Sequence, residues 1–379
     1  MKILIITHEY PPIGGGGANA CLNLAKEYAK QGHDITIVTS WFQGLAEEEK
    51  DGNVRIIRLK AKRKHLEHCG FPEMLDYLWR ALIRADKLQR AEHFDICQVF
   101  FAIPSGPVGY YLKVRYHLPY IIRFGGGDIP GFQERFQSIY KLIGPFEKII
   151  WKKADALVAN SQGLKKLAFD FYDKKGIQII TNGVDEKWLQ SGTGQGDCHD
   201  DEIRLLFVSR LIERKGLQFI LPQLGRVNEQ AGKRVALTIV GDGPYRPELE
   251  RIVEEYQLTD LVTFAGQKNK SELPPYYQAA DIFVLPSKKE GMPNVVLEAM
   301  ASGLPVVMTP CEGSEELIRG NGYAVPASEF GDRLIALCRD EELRLQMGSA
   351  SLQLVREQFR WSSIAAKYLE LMKACVDGG

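Results

Sequence analysis

The sequence predicts an α/β protein built from two Rossmann-like, doubly wound domains. Short apolar runs rich in β-branched residues alternate with amphipathic segments, and hydrophobicity within each run is nearly continuous. Such runs are typical of parallel strands covered by helices on both faces. The series restarts after a polar, glycine-rich stretch at 186–202, and the chain of 379 residues is long for a single core. We therefore expect domains at 1–190 and 191–361, facing each other across a cleft at the carboxyl ends of both sheets.

Helical patterns connect the predicted strands in both halves. The pattern at 18–32 ends at Gly32, a residue type common at helix C-caps. The last pattern, at 362–374 within the terminal segment 362–379, has no strand after it, and we expect it to cross back onto the first domain. The predicted strands lie at 2–7, 34–40, 96–100, 120–123, 156–160 and 178–181, and then at 204–209, 235–241, 262–266, 282–286 and 305–309.

The composition excludes several functional classes. Basic and acidic residues both number 48, so no net charge favours nucleic acid as a partner. The seven cysteines are scattered without a C-x-x-C pair, which argues against a zinc site or a disulfide framework and suits a reducing cytosol. The apolar start of the chain is too short for a signal peptide, and no stretch reaches the roughly twenty apolar residues of a membrane span. We expect a cytoplasmic protein without a metal, attached at most peripherally to the inner face of a membrane.

A glycine loop follows the first predicted strand. Its four glycines, at 14–17, let backbone N–H groups approach phosphate or sugar oxygens, and we expect Gly15, Gly16 and Gly17 to contact a ligand. The spacing fails the dinucleotide-binding pattern, because Asn19 stands where the third glycine belongs. The second strand also ends in Ser40 without an acidic residue for a ribose. A nicotinamide cofactor is therefore not expected.

Two cations follow the first strand of the second domain. Arg210 and Lys215 lie where the carboxyl end of that strand would hold a diphosphate, and two cations can neutralise a diphosphate without a metal. An exposed charged loop is the alternative, and it is the expected fate of Glu213 and Arg214. The turn at Gly241, after the next strand, either borders a nucleobase or is a simple turn.

Two glutamates eight positions apart, Glu290 and Glu298, carry most of the information. Pro293 between them suits the first turn of a helix, so Glu290 would precede the helix N-terminus and Glu298 would lie within the helix. The N-terminus offers N–H groups to a diphosphate, while carboxylates accept hydrogen bonds from hydroxyls. The pair alone is weak evidence, since an ordinary loop charge and a solvated helix residue would give the same sequence. The combination of a helix N-terminus with two carboxylates fits a sugar nucleotide.

Two further tracts suggest acceptor recognition. The loop at 125–132 carries Asp128 among glycines, which suits contact with sugar hydroxyls or a simple Asp-initiated turn. Cations accompany apolar residues at 58–68 and 132–153, a mixture that either lies on an anionic membrane surface or forms a solvated helix face over a core. If functional, these tracts indicate a lipid-linked acceptor.

Taken together, these motifs resemble glycosyltransferase family four, retaining enzymes with the GT-B fold, over nearly the whole chain. The resemblance implies that Arg210 and Lys215 bind the donor diphosphate, that Glu298 binds the ribose, and that Glu290 contacts the donor sugar near its reacting face. It also implies that Gly291, Met292, Pro293 and Asn294 hold sugar and phosphate through their backbone. The motifs that carry it are 14–17, 182–185, 209–210 with 215–216, 241–244, and 290–294 with 298–299.

One departure from the family pattern concerns the loop at 125–128. Many members carry a histidine there that contacts the donor sugar, whereas this chain has glycine. The variant at 126–132 resembles members that build bacterial surface polysaccharides. The family role of that histidine is therefore absent or carried by another residue.

The expected reaction is transfer of a sugar from a UDP- or GDP-type donor to a hydroxyl of a glycan or lipid-linked saccharide, with retention and without a metal or cofactor. Glu290, Lys215 and Arg210 are the candidate catalytic residues. The resemblance implies a front-face reaction, while double displacement with Glu290 as nucleophile stays open. A nucleotide-sugar epimerase or hydrolase on the same fold, or an inactive binding module, are the alternative functions.

Overall fold

The structure is a computed structural model, and it describes residues 1–66, 69–132, 137–185, 188 and 201–378. The chain divides into two units. The first comprises Met1–Asn182 and Trp361–Gly379, and the second comprises Gly183–Arg360. The first unit thus ends at 182 rather than at the expected 190. Most of the expected linker at 186–202 lies outside the described residues.

The first unit contains an eight-stranded sheet in the order β3-β4-β2-β1-β5-β6-β7-β8. All neighbouring pairs are parallel except β3 with β4, which is antiparallel. The helices of this unit are α1 (Gly16–Lys30), α2 (Phe71–Glu92), α3 (Ala102–Tyr116), α4 (Gln137–Lys153), α5 (Gln162–Phe171) and the last helix of the chain. The strands are β1 (Lys2–Ile6), β2 (Asp34–Ser40), β3 (Glu48–Asp51), β4 (Val54–Leu59), β5 (Ile96–Phe100), β6 (Tyr120–Arg123), β7 (Ala156–Ala159) and β8 (Ile177–Ile179).

The second unit contains a six-stranded, wholly parallel sheet in the order β11-β10-β9-β12-β13-β14. Its strands are β9 (Glu202–Val208), β10 (Arg234–Val240), β11 (Val262–Gly266), β12 (Ile282–Leu285), β13 (Val306–Met308) and β14 (Gly322–Ala324). Its helices are α6 (Leu217–Ile220), α7 (Leu224–Gln230), α8 (Arg246–Glu255), α9 (Pro274–Ala279), α10 (Asn294–Ala301), α11 (Ser314–Leu317), α12 (Phe330–Arg339) and α13 (Glu341–Gln358).

The central strands are buried on both faces. Every residue of β5, β6 and β12 is buried, which is why their sequences are mostly apolar, with the buried Gln98 and Arg123 as exceptions. The prediction of two doubly wound α/β domains is confirmed, and the bounds of β2, β5 and β6 are as predicted. The short strands β3, β4 and β14 were missed.

In the basic tract at 58–68, two cations are buried in the first unit. Arg58 ends up inside β4, where its buried guanidinium pairs with Glu49 at 2.7 Å. The side chain of Arg63 is also buried and donates to the carbonyl oxygens of His65 at 2.9 Å and His8 at 3.2 Å. Two of its cations therefore stabilise the loop structure of the first unit. Residues 67 and 68 lie outside the described residues.

The last helix, α14 (Trp361–Asp377), belongs to the first unit, where it packs against α1. Its apolar face buries Trp361, Ile364, Tyr368 and Met372. These residues join the core formed by β1, β2 and α1. The helix thereby covers one face of the first sheet, on the side where α1 lies.

Candidate active site

Four loops meet at the carboxyl edge of the second sheet. They follow the adjacent parallel strands β10, β9, β12 and β13, so they emerge at the same edge. Two glycines allow the loops to touch. Gly216 has a φ of 79° and lies so close to β12's loop that a Cβ would overlap the carbonyl oxygen of Pro286. Gly241 has a φ of 138° and is packed in the same way against the carbonyl oxygen of Ser209. Backbone contacts thus bring the predicted motifs together.

Lys215 and Glu290 form the centre of this edge. The Nζ of Lys215 lies 2.6 Å from Oε1 of Glu290, and both side chains are largely buried, at 13% and 12% exposure. The hydroxyl of Ser287 donates to the same oxygen at 2.6 Å. The guanidinium of Arg214 approaches it to 3.8 Å and also donates to the carbonyl oxygen of Lys289. Arg214 was expected to be only an exposed loop residue, so its approach to Glu290 corrects that expectation.

The charge state of Glu290 follows from these contacts. Burial alone would raise its pKa, but the positive charges of Lys215 and Arg214 and the hydrogen bonds from Lys215 and Ser287 lower the pKa below its ordinary value. Glu290 is therefore a carboxylate at neutral pH. A carboxylate has acceptor capacity beyond these bonds, which suits it to accept hydrogen bonds from hydroxyl groups.

Glu298 lies in the second turn of α10 and is buried. Its Oε2 accepts a hydrogen bond from the hydroxyl of Tyr277 at 3.1 Å, and the Nζ of Lys270 lies 4.0 Å from Oε1. The ring of Tyr277 packs edge-on against Trp188, with centroids 5.2 Å apart, and stacks on Phe283. The tyrosine therefore orients the carboxylate from a rigid aromatic cluster.

The remaining predicted residues of this unit surround α10. Gly291, Met292 and Pro293 are buried immediately before the helix, and Asn294 is its first residue. Arg210 is exposed at the end of β9. The loop after β13 adds a residue that the sequence analysis missed, since Glu312 accepts a hydrogen bond from the backbone N–H of Glu290 at 3.2 Å. Gly313 packs so closely that a Cβ there would overlap the carbonyl oxygen of Gly291.

In the first unit, the glycine loop leads directly into α1. Gly15 is the N-cap and Gly16 the first helical residue, and both are exposed. Gly17 packs closely against the ring of Phe101, where a Cβ would not fit. The exposed end of the loop therefore presents a helix N-terminus, the kind of element that binds anions.

Asp128 does not reach the surface of the first unit. It is 3% exposed, and its carboxylate accepts hydrogen bonds from the backbone N–H groups of Ala102 at 2.6 Å and Gly125 at 2.8 Å. Burial raises its pKa, and these backbone donors partly oppose the shift. The expected contact with a sugar is therefore corrected: Asp128 ties the 125–132 loop to the start of α3.

Glu147 on α4 is a buried acid that the sequence analysis missed. Its carboxyl group is 1% exposed and has no hydrogen-bond partner in the described part of the chain. Burial and the negative charge of Asp128 raise the pKa of Glu147 to about 9. It is therefore neutral at pH 7. The only sequence signal was an acid on the apolar side of an amphipathic helix.

Among the described residues there is neither a metal-binding cluster nor a helix that could span a membrane. No cluster of three or more histidine, cysteine, aspartate or glutamate side chains there could hold a metal ion. Among the helices described, none combines the length and apolar character needed to cross a bilayer.

Comparison with known proteins extends over both units. A model described as "Glycosyltransferase Family 4" matches residues 14–188, and one described as "Glycosyl transferases group 1" matches residues 202–340. The N-acetyl-alpha-D-glucosaminyl L-malate synthase of Bacillus anthracis is 26% identical over 97% of this chain and 96% of its own. A GDP-mannose-dependent alpha-(1-6)-phosphatidylinositol monomannoside mannosyltransferase of Mycobacterium tuberculosis is 32% identical over 44% of this chain and 46% of its own.

Solved structures show the same fold. Sucrose-phosphate synthase from Thermosynechococcus elongatus superposes with a TM-score of 0.84 at 22% identity, over 100% of both chains. Anabaena HepE, solved in complex with UDP and glucose, superposes with a TM-score of 0.73 at 19% identity, over 99% of this chain and 100% of its own. With two family matches that together span most of its length, the chain belongs to glycosyltransferase family 4 and is a hexosyltransferase-type enzyme with the GT-B fold.

Proposed function

We propose that this enzyme transfers a hexosyl group from a nucleoside diphosphate sugar to a hydroxyl of a glycan or lipid-linked saccharide, with retention at the anomeric carbon and without a metal. The observation that carries the proposal is the buried cluster of Lys215, Glu290 and Ser287, in which a cation and a carboxylate stand side by side. The cation stabilises the charge of a departing phosphate, and the carboxylate accepts hydrogen bonds from the hydroxyls of a sugar.

Each residue has a distinct role in this proposal. Lys215 and Arg210 stabilise negative charge that develops on the leaving diphosphate. Glu290 accepts hydrogen bonds from the donor sugar, and Glu298, oriented by Tyr277, accepts them from the ribose. Catalysis then rests on positioning and on fixed charges rather than on a protein base. The leaving phosphate takes the acceptor's proton on the same face, which gives retention.

The donor is expected to be of the UDP or GDP type. The Anabaena neighbour was solved with UDP and glucose, and the mycobacterial relative is GDP-mannose-dependent. The backbone at Gly291, Met292 and Asn294 supplies N–H groups for the sugar and phosphate. Pro293, which has no N–H, contributes only its carbonyl oxygen, as an acceptor for a sugar hydroxyl. Contacts of the donor with Gly15–Gly17 and of its base with Gly241 stay predictions.

Peripheral membrane attachment on the cytoplasmic side is also part of the proposal. On α4, Leu142, Phe146 and Ile149 are exposed at 83%, 48% and 45%. Lys152 and Lys153 end the same helix and are exposed. Apolar anchors beside cations favour an anionic bilayer surface, and a membrane site would suit an acceptor linked to polysaccharide biosynthesis.

The test has two steps. Thermal unfolding is measured with UDP, GDP, ADP and CDP, and a nucleotide present at about 100 times its Kd should stabilise the protein by about 2.7 kcal/mol. The sugar nucleotide of the stabilising base is then incubated with and without acceptor saccharides. Release of nucleoside diphosphate only with acceptor supports transfer. Equal release without acceptor would identify a hydrolase and reject the proposal, and so would a failure of all four nucleotides to bind.

A further inference from the structure

A groove in the first unit is formed by the tract at 132–153 together with the end of the loop at 125–132. It has a volume of about 540 Å³ and runs between α4, the last residue of α5 and the loop at 130–131. Its lining is mostly apolar, with Pro145 and Phe171 as walls and Gly144 as a gap in the helix surface. This volume lies within the range of small-molecule sites, about 300–1,000 Å³.

Two lysines border the groove. Lys141 and Lys148 are two turns apart on the same side of α4, and both are exposed. The Nζ of Lys148 lies 4.9 Å from the ring centroid of Phe171, so its charge sits over the apolar wall. The one acid of this helix, Glu147, faces the core and is neutral at pH 7. The outward side of α4 therefore carries only positive charge.

An exposed apolar row adjoins the groove. Leu142, Phe146 and Ile149 each follow a groove-lining position of α4 by one residue, which places them about 100° around the helix from the groove. The ring of Phe146 also contacts Tyr110 of α3 at 6.3 Å between centroids. A cationic, apolar-walled groove is thus continuous with an apolar helix face.

We propose that this groove binds a lipid phosphate, with the phosphate between Lys141 and Lys148 and the first part of the hydrocarbon chain against Phe171 and Pro145. A free sugar or nucleotide is a poorer match, because the walls are apolar. A chain leaving the groove would continue along the row of Leu142, Phe146 and Ile149. The inference rests on the proposed function, since it identifies the lipid-linked acceptor as one attached through a phosphate.

The experiment measures binding of decyl phosphate to the full chain by calorimetry, in the absence of any donor. Inorganic phosphate and decyl maltoside are titrated in parallel, so that the charge and the chain are tested separately. We expect decyl phosphate to bind at least about tenfold more tightly than either, because charge-assisted contacts and buried methylenes both contribute. Equal binding of inorganic phosphate or of decyl maltoside would overturn the proposal.

Matched variants locate the site. The double variant Lys141→Ala/Lys148→Ala is expected to bind decyl phosphate at least about tenfold more weakly, since two charge-assisted contacts are lost. Lys152→Ala/Lys153→Ala removes the same charge from the same helix outside the groove and should change the affinity less than about threefold. Equal affinity of the two double variants would refute the site.

A third variant fills the groove without removing charge. A Cβ at Gly144 would lie 3.5 Å from Phe171, an ordinary contact, so Gly144→Leu can point into the groove and improves helix propensity. This variant should also bind decyl phosphate at least about tenfold more weakly than the wild type. If its affinity equals that of the wild type, the groove is not the site. If the enzyme transfers sugar to a soluble glycan but does not bind decyl phosphate, only this inference is refuted. If it binds decyl phosphate but transfers no sugar to any acceptor, only the proposed function is refuted.

Discussion

The variant Glu147→Gln should stabilise the first unit, and by more as the pH rises. Glu147 has an ordinary pKa of 4.5, and in the folded protein burial and the charge of Asp128 raise the pKa to about 9. Between these values the unfolded chain has released the proton while the folded chain keeps it. The contribution of Glu147 to the free energy of unfolding is therefore fully present below about pH 4.5, and it falls as the pH rises toward about 9.

The magnitude follows from the same two values. At pH 7 the pH lies about 2.5 units above the ordinary pKa, and each unit is worth about 1.36 kcal/mol. Ionisation of Glu147 in the unfolded chain thus costs the folded state up to about 3 kcal/mol at pH 7. Glutamine has nearly the same shape and does not ionise, so Glu147→Gln removes this cost.

Calorimetric unfolding between pH 4.5 and pH 8 measures the effect. For a domain of about 200 residues, about 2–4 °C accompany each kcal/mol, so the variant should unfold up to about 10 °C higher at pH 7 and close to the wild type at pH 4.5. Asp170→Asn, an exposed acid on α5, is the control and should shift little at any pH. A difference that does not grow with pH would show that Glu147 is not neutral in the folded state.

Three further predictions concern the second unit. Lys215→Ala should lower turnover about a hundredfold or more in a folded enzyme, measured by initial rates at saturating donor, while Lys288→Ala in the neighbouring loop should change turnover less than about threefold. Tyr277→Phe should raise the KM for the donor about three- to tenfold and leave kcat unchanged, because Glu298 loses one hydrogen bond and the ring packing stays. Gly216→Ala should cost more than about 3 kcal/mol in urea unfolding, because its Cβ would overlap a backbone carbonyl oxygen at a positive φ.

Most of the strands that the sequence predicted, such as β5, β6 and β12, are buried on both faces, whereas the predicted strands β8 and β11 are partly exposed. The sequence did not predict β3, because this strand consists of Glu-Glu-Lys-Asp and is wholly exposed. It exists through edge pairing with β4, which local hydrophobicity does not record. Arg58 shows the opposite case, because a cation in the sequence indicates the surface and only the fold supplies the partner, Glu49, that allows it to be buried.

The main charged residues of the candidate site could be predicted from the sequence, but the contacts between them could not. Lys215 and Glu290 could be found because each follows a strand, and parallel strands present their carboxyl ends together. Arg214, Ser287 and Glu312 could not be found, since their approach to Glu290 depends on how three loops fold over one another. Glycine positions such as Gly216 were visible, but which backbone each would meet was not.

Asp128 shows the same limit in the first unit. A glycine-lined loop with one aspartate has the same sequence whether its carboxylate faces a ligand or the backbone. Here two backbone N–H groups take up the carboxylate, and Glu147 is buried nearby in its neutral form. Burial of an acid is decided by packing between α3, α4 and the loop, a long-range property that no local pattern encodes.

The contacts of Glu290 would allow Lys215 to bind a phosphate without leaving the buried carboxylate of Glu290 unpaired. Removing one partner of a buried ion pair commonly costs about 3–5 kcal/mol. Oε1 of Glu290, however, is held by Ser287 as well as by Lys215, and Arg214 lies 3.8 Å away. In the proposed reaction, Lys215 would turn toward the diphosphate while Ser287 and Arg214 retain the carboxylate. Such an exchange would keep Glu290 ionised for the sugar hydroxyls in both the free and the donor-bound enzyme.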